Sequence, residues 1–499
     1  MVGAVVHAVV QLAHAPRWTV DDAYIVARYA EHAARAGRFA YNLSEPPVEG
    51  FTSPLFAAIA TLAALLGRSP ITAMTACGLV AYVASGPIVY ALGRELRLSP
   101  VGAGVAAWLY LAVPEHLTHA MSGLETEAFL AIELACALAF ARAFVRPSHS
   151  RVRVVIGLAL LVCLTRPEGL AVAGALLAAL ALRSTGQGRR HLLRASGLGL
   201  GLPLLAALAL RVTWFHALLP NTFYAKTRGP IGTTIAREAL ALADDYVIDG
   251  VVVSLAAVAI GRLLGVPLGR LGSRSRAILG VSAALLLAFG ATYARGDVMN
   301  YSRRFALHAF PWVALVALVV LGWGAKQHAR LRRRRGPVVT WGMAALGAAM
   351  VAVLYVPRRA FVLDGELGAM GEHLVVQRDW YRPAVAMVNE RVDRSATIAV
   401  VPDAGFLPFY TDRFTVDFGR LNDRYLAREA KTSDDVVRYF FDRAPDAVVI
   451  SHYGPEKLFN EAASRILSDA RFEAGYERVG EWRDARRWGI SLYVKRLRR

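Results

Sequence analysis

The sequence predicts a polytopic α-helical membrane protein that carries a C-terminal α/β domain, and three observations predict it. Of 499 residues, 56% are hydrophobic and only 19% are charged, against about 25% charged in an ordinary soluble domain. The deficit is confined to the first part of the chain, where apolar runs alternate with short arginine clusters, and it ends near Tyr355–Pro357. Beyond that point the sequence reads as soluble. The shift divides the chain into a membrane domain, 1–356, and an extracytoplasmic domain, 357–499.

A bilayer core of about 30 Å needs about 20 apolar residues in a helix, fewer where neighbouring protein covers the ends. The runs that meet this are 2–15, 71–92, 100–113, 126–146, 152–165, 168–182, 195–213, 246–265, 277–293, 305–323 and 338–356, eleven in all, with the 152–182 stretch open to a different division. The first looks clipped at its start, yet it lacks the basic flank and small-residue cleavage site of a signal peptide. Orientation follows from the arginines. Arg142–Arg153, Arg183–Arg194, Arg262–Arg276 and Lys326–Arg335 mark four loops, which the positive-inside rule puts on the cytoplasmic face. Counting back places Arg94 and Arg97 inside and 16–70 outside only if the apolar run 53–67 does not cross. That run is therefore expected to be a re-entrant or interfacial helix. The N-terminus is then cytoplasmic, the C-terminal domain lies outside, and the polar segments 16–70, 114–125, 214–245 and 294–304 share the outer face.

In the C-terminal part, Ala396–Val401, Ala447–Ser451 and Ile490–Val494 read as strands and 433–443 as a helix, an alternation that suggests a small α/β domain. Asp403-Ala404-Gly405 follows the first strand. Without a GxGxxG or P-loop pattern it is not read as a nucleotide site. A net charge of +19 would suggest nucleic acid in a soluble protein. Here the arginines serve topology, and no basic stripe with interleaved aromatics occurs. Cys77, Cys136 and Cys163 lie in apolar segments without metal-ligand spacing and read as packing residues.

The unusual polar residues fall in the outer segments. Trp18-Thr19-Val20-Asp21-Asp22-Ala23-Tyr24 runs on to Arg28-Tyr29. Adjacent carboxylates beside a membrane are costly unless solvated, paired or used, and crowding raises the proton affinity of at least one, which suits a general base. The plainer reading is a helix start over 22–36, with Thr19 or Asp21 capping it. Further along come Tyr41-Asn42, Val48-Glu49-Gly50-Phe51-Thr52-Ser53-Pro54, Ser122-Gly123-Leu124-Glu125-Thr126, Thr165-Arg166-Pro167-Glu168-Gly169, Pro220-Asn221-Thr222-Phe223-Tyr224-Ala225-Lys226, Arg295-Gly296-Asp297 and Arg303-Arg304. His116 and His119 read as structural groups at the membrane rim.

These motifs, matched in order over most of the chain to about residue 310, resemble the GT-C glycosyltransferases. More narrowly, they are similar to the bacterial arabinofuranosyltransferase-type family that uses decaprenyl-phosphate arabinose, with Phe51 where that family commonly has Tyr. The resemblance implies a GT-C fold and inverting transfer of a sugar from a polyprenyl-phosphate donor to a glycan or glycolipid acceptor, at the outer face of the bacterial inner membrane. It implies Asp21 as base, with Asp22 as second choice or as the group that orients acceptor or Arg28. Lys226, Arg166, Arg303 and Arg304 are then candidates to meet the leaving phosphate, the arginines otherwise snorkelling to headgroups. Glu125, Glu168 and Asp297 are candidates for a second polar cluster or for local caps and pairs, Glu49 for sugar hydroxyls or the re-entrant helix, and Asn221 and Tyr224 for substrate contacts. Divalent-metal dependence stays open, since a monophosphate donor needs a metal less than a pyrophosphate does. Two other classes fit a chain of this composition, a transporter of lipid-linked sugars and a noncatalytic glycan-binding protein. Against the first, no repeat relates the two halves; against the second, both aspartates are present.

Overall fold

The computed structural model describes residues 2–226, 271–293, 301–335, 364–454, 457–458, 460–485 and 487–496. The expected spans 246–265 and 338–356, the boundary near Tyr355–Pro357, and Asp297 lie outside the described residues.

Every other expected span is helical, 305–323 in two pieces. In chain order the first helices are α1 (Val2–His14), α2 (Asp21–Ala36), α3 (Pro54–Leu65), α4 (Pro70–Glu95), α5 (Pro100–Leu111), α6 (Pro114–Met121), α7 (Thr126–Val145), α8 (His149–Thr165) and α9 (Gly169–Arg183). They are followed by α10 (Gly186–Phe215), α11 (Asn221–Lys226), α12 (Ser273–Tyr293), α13 (Arg304–Leu307) and α14 (Phe310–Arg335). Pro70–Glu95, Thr126–Val145, Gly186–Phe215 and Ser273–Thr292 are long and apolar enough to cross a membrane by length and composition. Local signals set several starts. Ser53-Pro54, Ser69-Pro70 and Ser99-Pro100 each place a capping hydroxyl on a backbone N–H three residues on, and a proline in the first turn. Pro167 settles the 152–182 division, because Arg166 before it is extended and the helix must end there.

The run 53–67 forms α3, 12 residues and so about 18 Å long, the same length as α5. It packs against α2 and α4. By contrast α10 is a 30-residue helix with outward leucines such as Leu198 and Leu210, 72% and 70% exposed, the surface that a lipid-facing helix presents. The expected span 305–323 is divided. Ser302 and Arg303 take left-handed backbone angles, α13 follows as a single turn, and the long helix starts at Phe310.

A helix over 364–391, α15, enters the C-terminal domain. There β1 (Thr397–Val401), α16 (Phe406–Thr411), β2 (Phe414–Asp417), α17 (Arg424–Arg428), α18 (Ser433–Arg443), β3 (Ala447–Tyr453), α19 (Glu461–Ser468), α20 (Ala470–Gly475), β4 (Tyr476–Arg483) and β5 (Trp488–Lys495) follow. The sheet order is β2-β1-β3-β5-β4, with β1 parallel to β2 and β3, and β5 antiparallel to β3 and β4. Helices cover both faces. Ile398 and Val400 point to the side of α15, α16 and the membrane domain, whereas Ala399 and Val401 meet Val436 and Phe440 of α18, the period-two alternation of a strand.

The domain is fastened to the first loop. Asn42 accepts from Thr415 N–H and donates to its carbonyl (3.0 and 2.8 Å), as a strand neighbour of β2 would. Tyr41 donates to Ala404 O at 2.7 Å. At Gly50 any Cβ would lie 1.8 Å from Asn422 Oδ1, so the loop 418–423 reaches the membrane domain only where a side chain is missing.

Candidate active site

Residues of α2, α11 and α13 and the start of α7 converge on one cavity. Its walls include Asp22, Ile25 and Val26 of α2, Gly50–Ser53, Glu125 just before α7, Thr222 and Lys226 of α11, Arg304 of α13, and Leu421 from the C-terminal domain. Glu125 is the centre of the charge network. It accepts from Arg166 and, at 3.0 Å, from Arg304. Arg304 also donates to Thr126 Oγ1 at 3.2 Å and stands 3.8 Å from the Asp22 carboxylate. Arg166 is held a second time by Glu168, at 3.0 and 3.2 Å. Burial would push the Glu125 carboxyl up, but the Arg304 and Arg166 guanidiniums outweigh it and hold the group below its usual range. Three cations surround one ring: Arg166, Arg304 and Lys226 lie 5.4, 5.5 and 5.9 Å from the Phe305 centroid. Two of them share Glu125, whereas among the described residues no carboxylate lies within ion-pair distance of Lys226. Burial lowers the Lys226 ammonium's proton affinity, a pull that nearby Asp22 opposes.

The two aspartates part company at the start of α2. Asp22 is partly open and lines the cavity. The Asp21 carboxylate turns to the C-terminal domain, where it accepts the N–H groups of Gly405 and Phe406 at 2.8 and 2.7 Å. Burial and the neighbouring Asp403 raise the Asp21 carboxyl well above its usual range, against those two donors. Asp403 itself accepts from Tyr381 and, at 2.6 Å, from Ser451.

Other expected site residues do different work. Arg28 is drawn away from Asp22 and from the cavity. It donates to the carbonyls of Tyr41 (2.8 Å), Arg413 (2.6 Å) and Pro408, binding the first loop to the C-terminal domain. Asn221 donates to the carbonyls of Arg420, Leu421 and Asp423 at 3.0–3.1 Å and accepts from Arg428. Tyr224 lies under the Arg428 guanidinium, 4.3 Å from its ring centroid. Arg303 pairs with Glu115 at 3.5 Å. Glu49 is bidentate to Arg211, at 2.6 and 3.1 Å. Arg211 was not singled out from the sequence, although an arginine inside an apolar span is itself a signal. Asp403 had no role assigned, and its position after a strand was its only mark. Among the described residues, no three His, Cys, Asp or Glu side chains come together as metal ligands would, and no step is assigned to a metal.

The chain has the GT-C fold, which solved membrane glycosyltransferase structures share. The ArnT structure from Cupriavidus metallidurans bound to undecaprenyl phosphate matches with a TM-score of 0.55 at 13% identity, over 99% of this chain and 96% of that one. The Archaeoglobus fulgidus oligosaccharyltransferase matches at 0.53 and 11%, over 90% of this chain and 69% of that one. The mycobacterial arabinofuranosyltransferase AftD matches at 0.50 and 12%, over 99% of this chain but 40% of that longer one. Within the sequence, residues 373–493 match a family model described as a domain of unknown function (DUF8728). No curated protein matches the chain.

Proposed function

We propose that the protein is an inverting glycosyltransferase that moves a sugar, arabinofuranose-like, from a polyprenyl-phosphate donor to a cell-envelope glycan or glycolipid at the outer face of the bacterial inner membrane. The observation that carries the reading is the cavity in which the Asp22 carboxylate faces Lys226 and Arg304. The ArnT structure holds undecaprenyl phosphate, and a phosphate of that kind suits the place where three cations gather. The reaction needs a base for an acceptor hydroxyl and cations for a leaving phosphate. Asp22 takes the acceptor proton as that oxygen bonds to the sugar's C1 from the face opposite the phosphate. The C1–O bond to phosphate breaks, and the polyprenyl phosphate leaves with the electron pair, its charge met by Lys226 and Arg304. Asp22 is preferred to Asp21 because the Asp21 oxygens already accept two backbone N–H groups.

Purified protein given radiolabelled polyprenyl-phosphate arabinose, mannose or glucose, with a glycan acceptor, tests this. Transfer from one donor is expected, falling about 10²–10⁴-fold in Asp22→Asn, with Lys226→Met losing turnover as well. Undiminished transfer by Asp22→Asn would refute the assignment. Failure with all three donors would refute the activity.

A further inference from the structure

At the end of the helix bundle opposite the cavity, the turn between α7 and α8 meets the turn between α9 and α10. From Arg142 to Arg194 the sequence has one acid, Glu168, and that one is bound to Arg166 at the cavity end. The arginines of these turns therefore differ from others on the same side. Arg142 and Arg274 share the Glu95 carboxylate at 3.1 and 2.7 Å, and Arg94 donates to the Leu98 carbonyl at 2.6 Å. Arg146, Arg151 and Arg153 of the first turn, and Arg189, Arg190 and Arg194 of the second, have no carboxylate partner among the described residues, and all but Arg151 are exposed.

The two turns form one surface. His149 stacks on His191, ring centroids 3.8 Å apart at 21°, and the Arg183 guanidinium lies 5.9 Å from the Phe144 ring centroid. Orientation in the membrane needs these charges on one side; it does not need two turns stacked together. Guanidiniums gathered without a counter-charge repel one another, and an anion bound among them removes that repulsion.

Height and composition narrow the kind of anion. The apolar part of α10, Gly197–Phe215, is about 28 Å long, close to a hydrocarbon core of about 30 Å. The turns before it, Gly186–Ser196, then fall at the level of the lipid headgroups. Open aliphatic side chains stand between the arginines: Leu182, Val154 and Leu193 are 84%, 54% and 59% exposed. A nucleic acid or an acidic protein would leave them in water. A phospholipid meets both kinds of group, with phosphate on guanidinium and acyl chain on the aliphatic side chains. The ammonium of a zwitterionic headgroup would add a further cation to a surface that already repels itself, which selects an anionic lipid.

We infer that the joined turns at this end of α7, α8, α9 and α10 are one binding site for an anionic phospholipid, its phosphates shared between Arg146, Arg151 and Arg153 on one turn and Arg189, Arg190 and Arg194 on the other. Binding is read without donor, acceptor or transfer, so it stands apart from the proposed activity.

The test uses the full chain in a neutral detergent, titrated with diphosphatidylglycerol, phosphatidylglycerol and phosphatidylcholine. Native mass spectrometry counts the lipid retained, and thermal melts read the stabilisation that binding confers. Diphosphatidylglycerol, with two phosphates, is expected to be retained most and phosphatidylcholine least. Two triple variants remove one turn's charges each: Arg146→Gln with Arg151→Gln and Arg153→Gln, and Arg189→Gln with Arg190→Gln and Arg194→Gln. Each is expected to weaken retention of the diphosphatidyl lipid about ten-fold or more. Arg332→Gln with Arg333→Gln and Arg334→Gln removes as much charge elsewhere and is expected to change retention by about two-fold or less. The inference is overturned if phosphatidylcholine is held as well as the anionic lipids, if either turn's triple variant retains lipid as wild type does, or if the third variant loses as much. Should a triple variant fail to fold, the comparison of lipids on the wild-type protein decides alone.

Discussion

Replacing Asp417 with asparagine should make the protein more stable at alkaline pH. Asp417 ends β2, is fully buried, and accepts the backbone N–H and side-chain amide of Asn422 at 2.8 and 2.9 Å through one oxygen. Burial is the main cause that pushes its carboxyl up to about 7, with the Asn422 donors pulling the other way. An unfolded aspartate titrates near 3.9. The folded protein therefore binds the proton more tightly, and stability is highest below about pH 4, falls as pH rises towards 7, and is flat above. About three pH units at about 1.4 kcal/mol each set a ceiling near 4 kcal/mol. Asparagine keeps an oxygen for Asn422 and carries no charge, so the penalty disappears. Thermal melts of both proteins from pH 5 to pH 8 are the assay. Wild type should lose stability across that window, and Asp417→Asn should lose less and melt several degrees higher at pH 8. Asp412, held at about 2 chiefly by His32, has the opposite sign, but its contribution is lost only below about pH 4. A variant whose melting temperature falls with pH as steeply as wild type's would refute the reasoning.

Two further perturbations act on the cavity and on its junction with the C-terminal domain. Glu125→Gln leaves the buried Arg166 and Arg304 without their shared carboxylate, a change that typically costs about 3–5 kcal/mol; denaturant unfolding should register it, and a loss under about 1 kcal/mol would contradict the network. Gly405→Ala would put a Cβ 1.8 Å from the Asp21 carbonyl oxygen. The C-terminal domain must then shift away from α2, so limited proteolysis between 392 and 430 should quicken, and an unchanged digest would mean that the two parts are not in contact there.

The sequence carried the fold unevenly. Strands β1, β3 and β5 were legible because the buried runs ATIAVV and AVVIS and the run over 490–494 leave no other reading. Strands β2 and β4 were missed for opposite reasons. FTVD is only four residues, and YERVGEWR is a polar, half-open edge strand paired on one side alone. Charge parity is what argues against a crossing at 53–67, where hydropathy alone suggests one. Glu125, Glu168 and Arg166, named from the sequence as types, form one ion-pair network, of which Glu125 lines the cavity. Other pairings were not legible. Arg211 with Glu49, and Asp403 beside Asp21, are contacts across more than 150 residues that no local pattern encodes.

The aspartate pair shows why adjacency in sequence misleads about role. Consecutive residues on a helix point about 100° apart and do not share a face. An Asp-Asp pair at the first turn of α2 therefore cannot present two equivalent carboxylates to one cavity. One faces Lys226 and Arg304; the other must find a different partner, and it meets the N–H groups at the start of α16. The consequence is mechanical. A single peptide bond joins the proposed base to the residue that grips the C-terminal domain, and Leu421 from that same domain closes part of the cavity wall. Anything that seats or unseats the domain on α2 must then move the Asp22 carboxylate relative to Lys226, and a misplacement of about 1 Å is enough to cost about 10²-fold in rate.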